Sequence, residues 1–271
     1  MTVESRALRS ARFPLLELLH PRGATHLLVA TIVVAGVFGL VATTRMGWPL
    51  WGAIAAGLVL LLIPASMKWR SDLRRYGPAL TVLGALLVLQ GFHGIEHLAQ
   101  LLQNHVLGLN LRASNGLLSP ANAEWVHFIW NWGVLLAIVA LIVSGRLRNV
   151  FGYALLIWTV AHTMEHTYLM VRHLQVLDEL KAMGINGITA QGLPGILGQD
   201  GWLARADVTQ GSFLCRIPGL TVASRLDIHF GWNTGELALL VIAAHRTLRP
   251  ATPRRWVAPR LGRLPAGGGV R

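Results

Sequence analysis

Residues 77–101 read GPALTVLGALLVLQGFHGIEHLAQL. The stretch carries no charged residue before position 93, and near its end it holds the pattern HxxEH. About 20 apolar residues are enough for a helix to cross the hydrocarbon core of a bilayer. The stretch therefore predicts a transmembrane helix that ends in a cluster of ionisable side chains.

Five further windows of the 271-residue chain resemble this one in length and composition. Charged residues make up 13% of the chain and hydrophobic residues 53%, with a mean hydropathy of +0.51. A soluble domain carries about twice that share of charge. We predict an all-α polytopic membrane helix bundle with six transmembrane helices, over residues 24–44, 48–67, 77–101, 123–145, 149–171 and 226–246.

The basic residues predict the orientation of these spans. With six spans, both termini, the 68–76 loop and the 146–148 turn lie on one side and, with Arg246 at the inner end of the last span, carry 17 of the 24 Lys and Arg residues. Cytoplasmic loops are enriched in such residues, so both termini are predicted to be cytoplasmic, in a membrane that we interpret as a bacterial plasma membrane. The excess of basic residues in the predicted cytoplasmic segments accounts for the net charge of +12. No nucleic-acid partner is expected, because only Trp256 interleaves the arginines of the tail.

A two-helix unit occurs twice in the sequence. The pattern HxxEH at 93–97 recurs at 162–166, and HFxWNxG at 127–133 recurs at 229–235. Two helices per unit give both copies the same orientation, which predicts a parallel repeat about a pseudo-twofold axis along the membrane normal. The predicted organisation is a basic cytoplasmic arm (1–23), a supporting helix pair (24–76), copy 1 (77–147), copy 2 (148–246) with a long extracytoplasmic loop (174–224), and a basic flexible cytoplasmic tail (247–271).

The histidines of both copies fall at one predicted depth, near the extracytoplasmic face. Residues four apart share a helix face, so each HxxEH pattern places two imidazoles side by side, at the spacing of helical zinc motifs. Ionisable groups inside a membrane are costly and usually mark a functional interior. We predict one or two metal ions, iron or copper first and zinc as the alternative. The predicted ligands are His93, His97, His127, His162, His166 and His229.

Neighbouring residues are candidates for supporting roles. Glu96 and Glu165 could ligate the metal, orient a ligand histidine or act as a catalytic base. The secondary candidates are Asn131, Asn233, His105 and His173 as further polar groups, and Trp130 and Trp232 as side chains that line a substrate.

Two signals concern the connections between helices. Ser119-Pro120 is typical of a helix start, which places His127 about two turns into its helix. The 174–224 segment is rich in glycine and apolar residues. A segment of this length is either a lid over the site or an irregular connector.

The histidine patterns resemble those of membrane desaturases and hydroxylases, which carry histidine-rich motifs on transmembrane helices around two metals. This chain lacks the doubled histidine of their later motifs, and its predicted site faces outward rather than toward the cytosol. An HxxxH pair with one more histidine per metal is also similar to coupled dicopper proteins, which are soluble. These resemblances imply oxygen or redox chemistry at a dinuclear centre.

Three functions and one structural alternative are compatible with these patterns. The first is a metal-dependent oxidoreductase that acts on a membrane lipid or another hydrophobic molecule from the outer side, with a redox partner that the sequence does not identify; a hydrolytic zinc enzyme is a variant. The second is a metal-binding or metal-transporting protein without catalysis. The third is a haem protein. The structural alternative is a polar network that only ties the helices together.

Overall fold

The structure is a computed structural model, and it describes residues 13–186 and 192–249. Every regular element within these residues is helical and none is a strand, so the predicted all-α class is confirmed for this part of the chain. Turns of 3₁₀ helix lie at Arg22–Ala24, Ser119–Asn122 and Phe213–Arg216, and a π-helical turn lies at Pro218–Val222. The α-helices are α1 (Pro14–Leu19), α2 (Thr25–Arg45), α3 (Leu50–Tyr76), α4 (Pro78–His105), α5 (Glu124–Val143), α6 (Val150–Ala182), α7 (Trp202–Arg205) and α8 (Arg225–Leu248).

Four of the described helical segments are long and apolar enough to cross a membrane, which is consistent with an integral membrane protein. The helices α6 and α8 have 33 and 24 residues, which is sufficient length. Histidine, glutamate and other polar residues lower their hydropathy. The four segments are Arg22–Arg45, Leu50–Tyr76, Pro78–His105 and Glu124–Val143.

Four helices form the bundle that positions the histidines. α4 packs against α8, α5 packs against α6, and α6 also packs against α8. α2 and α3 pack on each other, and α3 contacts α4. The pair α2 and α3 therefore lies beside the bundle, and most side chains of α2 are exposed on the protein surface.

The interior of the bundle has two zones. Buried residues recur every three or four positions along each helix, which is the stripe expected of a helix with one inward face. At one end of the bundle these residues are apolar, and Leu83, Ile138, Leu155 and Leu240 are all fully buried there. At the other end they are histidine, asparagine, glutamine and glutamate. The bundle therefore has an apolar end, the apolar base, and a polar end that contains the candidate site.

Part of the predicted N-terminal arm belongs to the protein core. Helix α1 lies within residues 1–23, and Leu18 has no exposed surface. Gly84 faces this leucine, since a Cβ at position 84 would lie 3.5 Å from the Leu18 Cγ. The Lys68 ammonium donates a hydrogen bond of 2.8 Å to the Leu18 carbonyl. The described end of the arm is therefore packed against the bundle.

Two predicted connections are partly helical. The 68–76 loop is the last part of α3, which continues past the buried Pro64 and in which Lys68 pairs with Asp72 one turn later. The start of the 174–224 loop is the end of α6, because residues 174–182 (LQVLDELKA) are mostly good helix formers. The connection from α6 to α8 therefore begins after Ala182.

The placement of His127 two turns into its helix is wrong. Ser119-Pro120 begins a 3₁₀ turn rather than the α-helix. Ala123 then adopts an extended backbone, with φ −62° and ψ 137°, and α5 begins at Glu124. His127 consequently lies at the end of the first turn of α5, and His229 lies at the start of the second turn of α8.

Candidate metal centre

All six predicted histidine ligands meet in the polar zone of the bundle. Two come from α4, two from α6, and one from near the N-terminus of each of α5 and α8. The ring centroids of neighbouring imidazoles are 4.6 to 5.7 Å apart. Five of the six residues are buried, and only His93 keeps an exposed edge.

One trio of these histidines has its donor atoms close together. Nitrogen atoms of His93, His97 and His127 lie within 4.8 Å of one another. The Nε2 atoms of His93 and His97 are 3.3 Å apart. Two nitrogens bound tetrahedrally to one zinc ion at ~2.0–2.1 Å would also be about 3.3 Å apart. This first trio could therefore hold a metal ion.

A glutamine orients one ring of the first trio. The Gln100 amide donates to the Asn122 Oδ1 at 2.7 Å, so its own oxygen is turned toward the His97 Nδ1, 3.0 Å away. A proton on Nδ1 then donates to Gln100 and leaves the His97 Nε2 lone pair for a metal. Such an outer contact fixes the tautomer and the ring orientation of a ligand histidine.

The second trio, His162, His166 and His229, lies beside the first. His162 and His166 are each 1% exposed. Neither nitrogen of His166 has a hydrogen-bond partner, and the Nε2 of His162 has none either. Unpaired polar atoms at such depth are rare in proteins, because burial without a partner costs free energy. These nitrogens are therefore available as ligands.

The two trios are in direct contact. His127 stacks on His166 with ring planes 11° apart and centroids 5.1 Å apart. His97 lies beside His229 at 5.6 Å. In each contact the second histidine of one HxxEH pattern meets the HFxWNxG histidine of the other sequence copy. The six rings consequently form one cluster.

The two predicted catalytic carboxylates contact the loops that follow their helices. Glu96 accepts hydrogen bonds of 2.9 to 3.0 Å from the backbone N–H groups of Leu117 and Leu118. Glu165 accepts one of 3.0 Å from the Ile196 N–H. Each carboxylate thus anchors the connection that follows its own helix to the polar zone of the bundle.

A glycine accompanies each of these loop contacts. A Cβ at Gly116 would collide with the Glu96 carboxylate, and a Cβ at Gly195 would collide with that of Glu165. The sequences around them are NGLL at 115–118 and PGIL at 194–197. Sequence reasoning missed this Gly-x-Leu signal because the connections differ in length.

A third glutamate contacts the histidine cluster directly. The Glu236 Oε2 lies 2.8 Å from the His162 Nδ1, and the Gln90 amide donates to the Glu236 Oε1 at 2.6 Å. Gln90 in turn accepts from the Trp130 indole at 3.1 Å. Glu236 is not among the predicted site residues, although a carboxylate seven residues after His229 on a predicted span is a signal for a functional group.

The remaining candidates have varied surroundings. Trp130 lies 5.1 Å from His93, and Trp232 stacks on His162 with planes 8° apart. The amides of Asn131 and Asn233 donate to the backbone carbonyls of His127 and His229, one turn earlier. His105 is at the exposed end of α4 and bonds Asp227 at 2.7 Å, and His173 lies half-buried on α6.

An ion pair joins the first turns of α5 and α8 above the histidines. The Arg225 guanidinium contacts the Glu124 carboxylate, whose side chain is 1% exposed. Arg225 also donates to the Leu193 carbonyl at 2.6 Å, in the connection before α8. The pair fixes the two helix ends that carry His127 and His229.

Comparison with protein-family models, curated proteins and solved structures finds no match for this chain.

Proposed function

We propose that this chain is a membrane-embedded, metal-dependent oxidoreductase that acts on a lipid-soluble substrate near the extracytoplasmic face. The observation that carries the proposal is the first trio, in which three imidazoles converge and one of them remains accessible. Three protein ligands with an open position are typical of catalytic metal sites, whereas structural sites are closed by four. Imidazole ligands suit iron and copper, which carry out redox chemistry, and zinc as the alternative.

The proposal includes six transmembrane helices, with α6 and α8 as the fifth and sixth. Their polar residues are compatible with this position, because the cluster histidines of these helices, with Glu165, Asn233 and Glu236, are buried in the bundle interior. The exposed residues of α6 include Tyr153, Ile157 and Met164, which suit contact with lipid. Both termini are cytoplasmic in this topology, and the positive-inside rule supports the orientation.

The proposal also includes the internal repeat. The packing of α4 on α8 and of α5 on α6 is what a twofold axis through the cluster would generate. The same operation relates the contact of His97 with His229 to that of His166 with His127. It relates the Glu96 loop contact to that of Glu165 as well.

Access to the first trio supports a lipid-soluble substrate. His93 is the one cluster histidine with an exposed edge. Its neighbours Phe92 and Ile95 are 51% and 53% exposed, and both suit an apolar environment. Trp130 lies against the His93 ring and would form one wall of the approach. A hydrophobic molecule would therefore reach the metal sideways from the bilayer.

Metal binding without catalysis is the second candidate. The contact between His162 and Glu236 favours it, because a carboxylate behind a histidine orients that histidine and makes it a stronger metal ligand. Gln90 and Glu236 extend the polar zone about one helical turn beyond the histidines. The next inward layers contain Leu83, Leu87 and Leu240, which are buried and apolar. A conduction path places polar ligands at several depths. The interior thus supports an ion held in place more than an ion that is transported.

A haem is the third candidate and has the least support. The porphyrin would have to lie between two histidine rings, and neighbouring rings here have centroids no more than 5.7 Å apart. The histidine rings contact one another and leave no gap between them for the flat porphyrin ring.

The test is elemental analysis of the full chain purified in mild detergent, with His97→Ala beside the wild type and His26→Ala as the matched control. His26 is an exposed histidine at the start of α2. We expect bound iron or copper in the wild type and the control, and a reduced content in His97→Ala. Bound zinc would favour the hydrolytic variant. Absence of metal from a folded wild type, with no uptake on reconstitution, would overturn the proposal in favour of a polar packing network.

The enzymatic part needs its own measurement. Metal-loaded protein in lipid nanodiscs is supplied with oxygen, with ascorbate as the electron donor that a hydroxylation needs, and with a library of lipid-soluble compounds, and the compound-dependent oxygen consumption is recorded. We expect consumption by the wild type that is lost in His97→Ala. Full metal occupancy without turnover of any compound would favour the metal-binding candidate.

A further inference from the structure

We propose that the second trio, His162, His166 and His229, holds a second metal ion, and that Glu236 gives this second site the higher affinity of the two. The inference rests on the metal-binding part of the proposed function. It is independent of the substrate and of the reaction.

The unpaired nitrogens of the second trio carry the inference. His166 is 1% exposed and both of its nitrogens lack a hydrogen-bond partner, as does the Nε2 of His162. A polar network that served only to join helices would pair these atoms, since burial without a partner is costly. A metal ion would partner one nitrogen of each of these two imidazoles, because it binds one lone pair from each ring.

The third ligand comes from α8. The His229 Nδ1 faces the Arg225 carbonyl at 3.3 Å, which leaves its Nε2 as the ligand atom. The His229 ring lies 4.8 Å from that of His166, and the His166 ring lies 5.0 Å from that of His162. Among the described residues only the first trio brings its donor atoms within 4.8 Å of one another. The rings of the second trio must therefore turn to close on an ion.

The two sites differ in the group behind a ligand histidine. His162 has the Glu236 carboxylate at 2.8 Å, and Gln90 holds that carboxylate in place. The repeat places Val134 at the position that corresponds to Glu236. The first trio has instead the neutral Gln100 amide at His97. A carboxylate raises the basicity of a ligand imidazole and adds negative charge near the cation, so the second site should bind a divalent metal more tightly.

The experiment is a titration of the chelator-stripped full chain with cobalt(II) in detergent, read by the visible absorption of the bound ion and by equilibrium dialysis. We expect two cobalt ions per wild-type chain with two distinct affinities. His166→Asn should bind one ion and lose the tighter affinity. His97→Asn should bind one ion and keep the tighter affinity.

Glu236→Gln tests the role of the carboxylate and leaves every ligand histidine in place. We expect two ions, with the tighter affinity reduced about 10–100-fold. Asp227→Asn is the matched control, because Asp227 is an acidic residue of α8 that bonds the exposed His105 instead of the cluster. It should leave both affinities unchanged. Size-exclusion chromatography and circular dichroism report whether each variant is folded.

The outcomes separate the two proposals. One cobalt ion per wild-type chain, retained in His166→Asn, would overturn the second site while the proposed metal function stands. Unchanged affinities in Glu236→Gln would overturn the role of Glu236. If neither the wild type nor any variant binds cobalt(II) in the titration, both proposals are refuted. If His166→Asn does not fold, Glu236→Gln decides: a weakened tight site supports the inference, and unchanged binding contradicts it.

Discussion

At the scale of single residues, three buried glutamates of the polar zone divide into two roles because their neighbours differ. Glu96 and Glu165 accept hydrogen bonds from loop N–H groups, whereas Glu236 contacts a histidine ring. Each carboxylate has partners that compensate for its removal from water. Residue type alone predicts that such groups are functional, but the partner decides which function each serves.

Gln100→Leu should weaken metal binding at the first trio. The substitution removes the acceptor for the His97 Nδ1 proton, so the ring is no longer held in the tautomer that presents Nε2. Loss of such an outer contact typically lowers metal affinity about 10–100-fold. Cobalt(II) titration measures the change. Gln175→Leu, at an exposed position of α6, is the control and should bind as the wild type does. Equal affinities in both variants would show that Gln100 does not orient the ligand.

At the scale of secondary-structure elements, the connections above the cluster are held by the helices beneath them. Glu96 reaches the connection from α4 to α5, and Glu165 reaches the connection from α6 to α8. At positions 116 and 195 the approach is so close that a Cβ would displace the carboxylate from its loop contact. The two connections differ in length but are attached by the same kind of contact.

Gly116→Ala should destabilise the protein more than Gly108→Ala. Both glycines have a positive φ, +70° and +68°, so alanine is strained at either position by about 1–3 kcal/mol. Only at Gly116 would the new Cβ also displace the Glu96 carboxylate. The carboxylate would then lose its hydrogen bonds to the loop, which should further lower the free energy of unfolding by about 1–3 kcal/mol. Thermal unfolding in detergent compares the two variants. Similar Tm values would mean that the Glu96 contact contributes little to stability.

At the scale of the whole molecule, the fold joins an apolar base to a polar site within one four-helix bundle. The base contains leucine and isoleucine residues that pack without polar atoms, and the site lies at the opposite end of the same four helices. Packing at the apolar end holds the four helices together, so that six histidines from these helices can meet at the other end.

The six-span topology can be tested by cysteine labelling. In a Cys215→Ser background, we introduce single cysteines by Leu107→Cys, Phe213→Cys and Ser144→Cys, all at exposed positions. A membrane-impermeant maleimide added to intact cells should label positions 107 and 213, and it should label position 144 only after lysis. If α6 and α8 do not span the membrane, positions 213 and 144 will show the same accessibility.

Metal binding should also stabilise the fold. An ion that binds only the native protein stabilises it by about 2.7 kcal/mol at a free concentration of 100 times its Kd. We therefore expect the Tm of chelator-stripped wild type to rise when cobalt(II) is added. His97→Ala should show a smaller rise, and His26→Ala the full one. An unchanged wild-type Tm at saturating cobalt(II) would contradict binding inside the bundle.

The sequence by itself determined the all-α class of the described residues, four of the six apolar segments and the identity of the histidines that meet. The reason is that these properties depend on local patterns: long apolar runs require helices in a bilayer, and i, i+4 spacing places two rings on one face. The recurrence of HxxEH and HFxWNxG was visible in the same way. Helix ends were less predictable, as α3, α5 and α6 show, because good helix formers and a 3₁₀ turn shift the boundaries.

Only the tertiary structure decided which groups surround the histidines. Gln90 and Glu236 are 146 positions apart, and Glu165 and Ile196 are 31 apart across a connection. No periodicity links such pairs, since their contact depends on how helices pack and where loops return. The same packing separates the role of Glu236 from that of Glu96 and Glu165, and it leaves both nitrogens of His166 without a hydrogen-bond partner. Local patterns select the side chains, and the packing of distant segments decides what each side chain contacts.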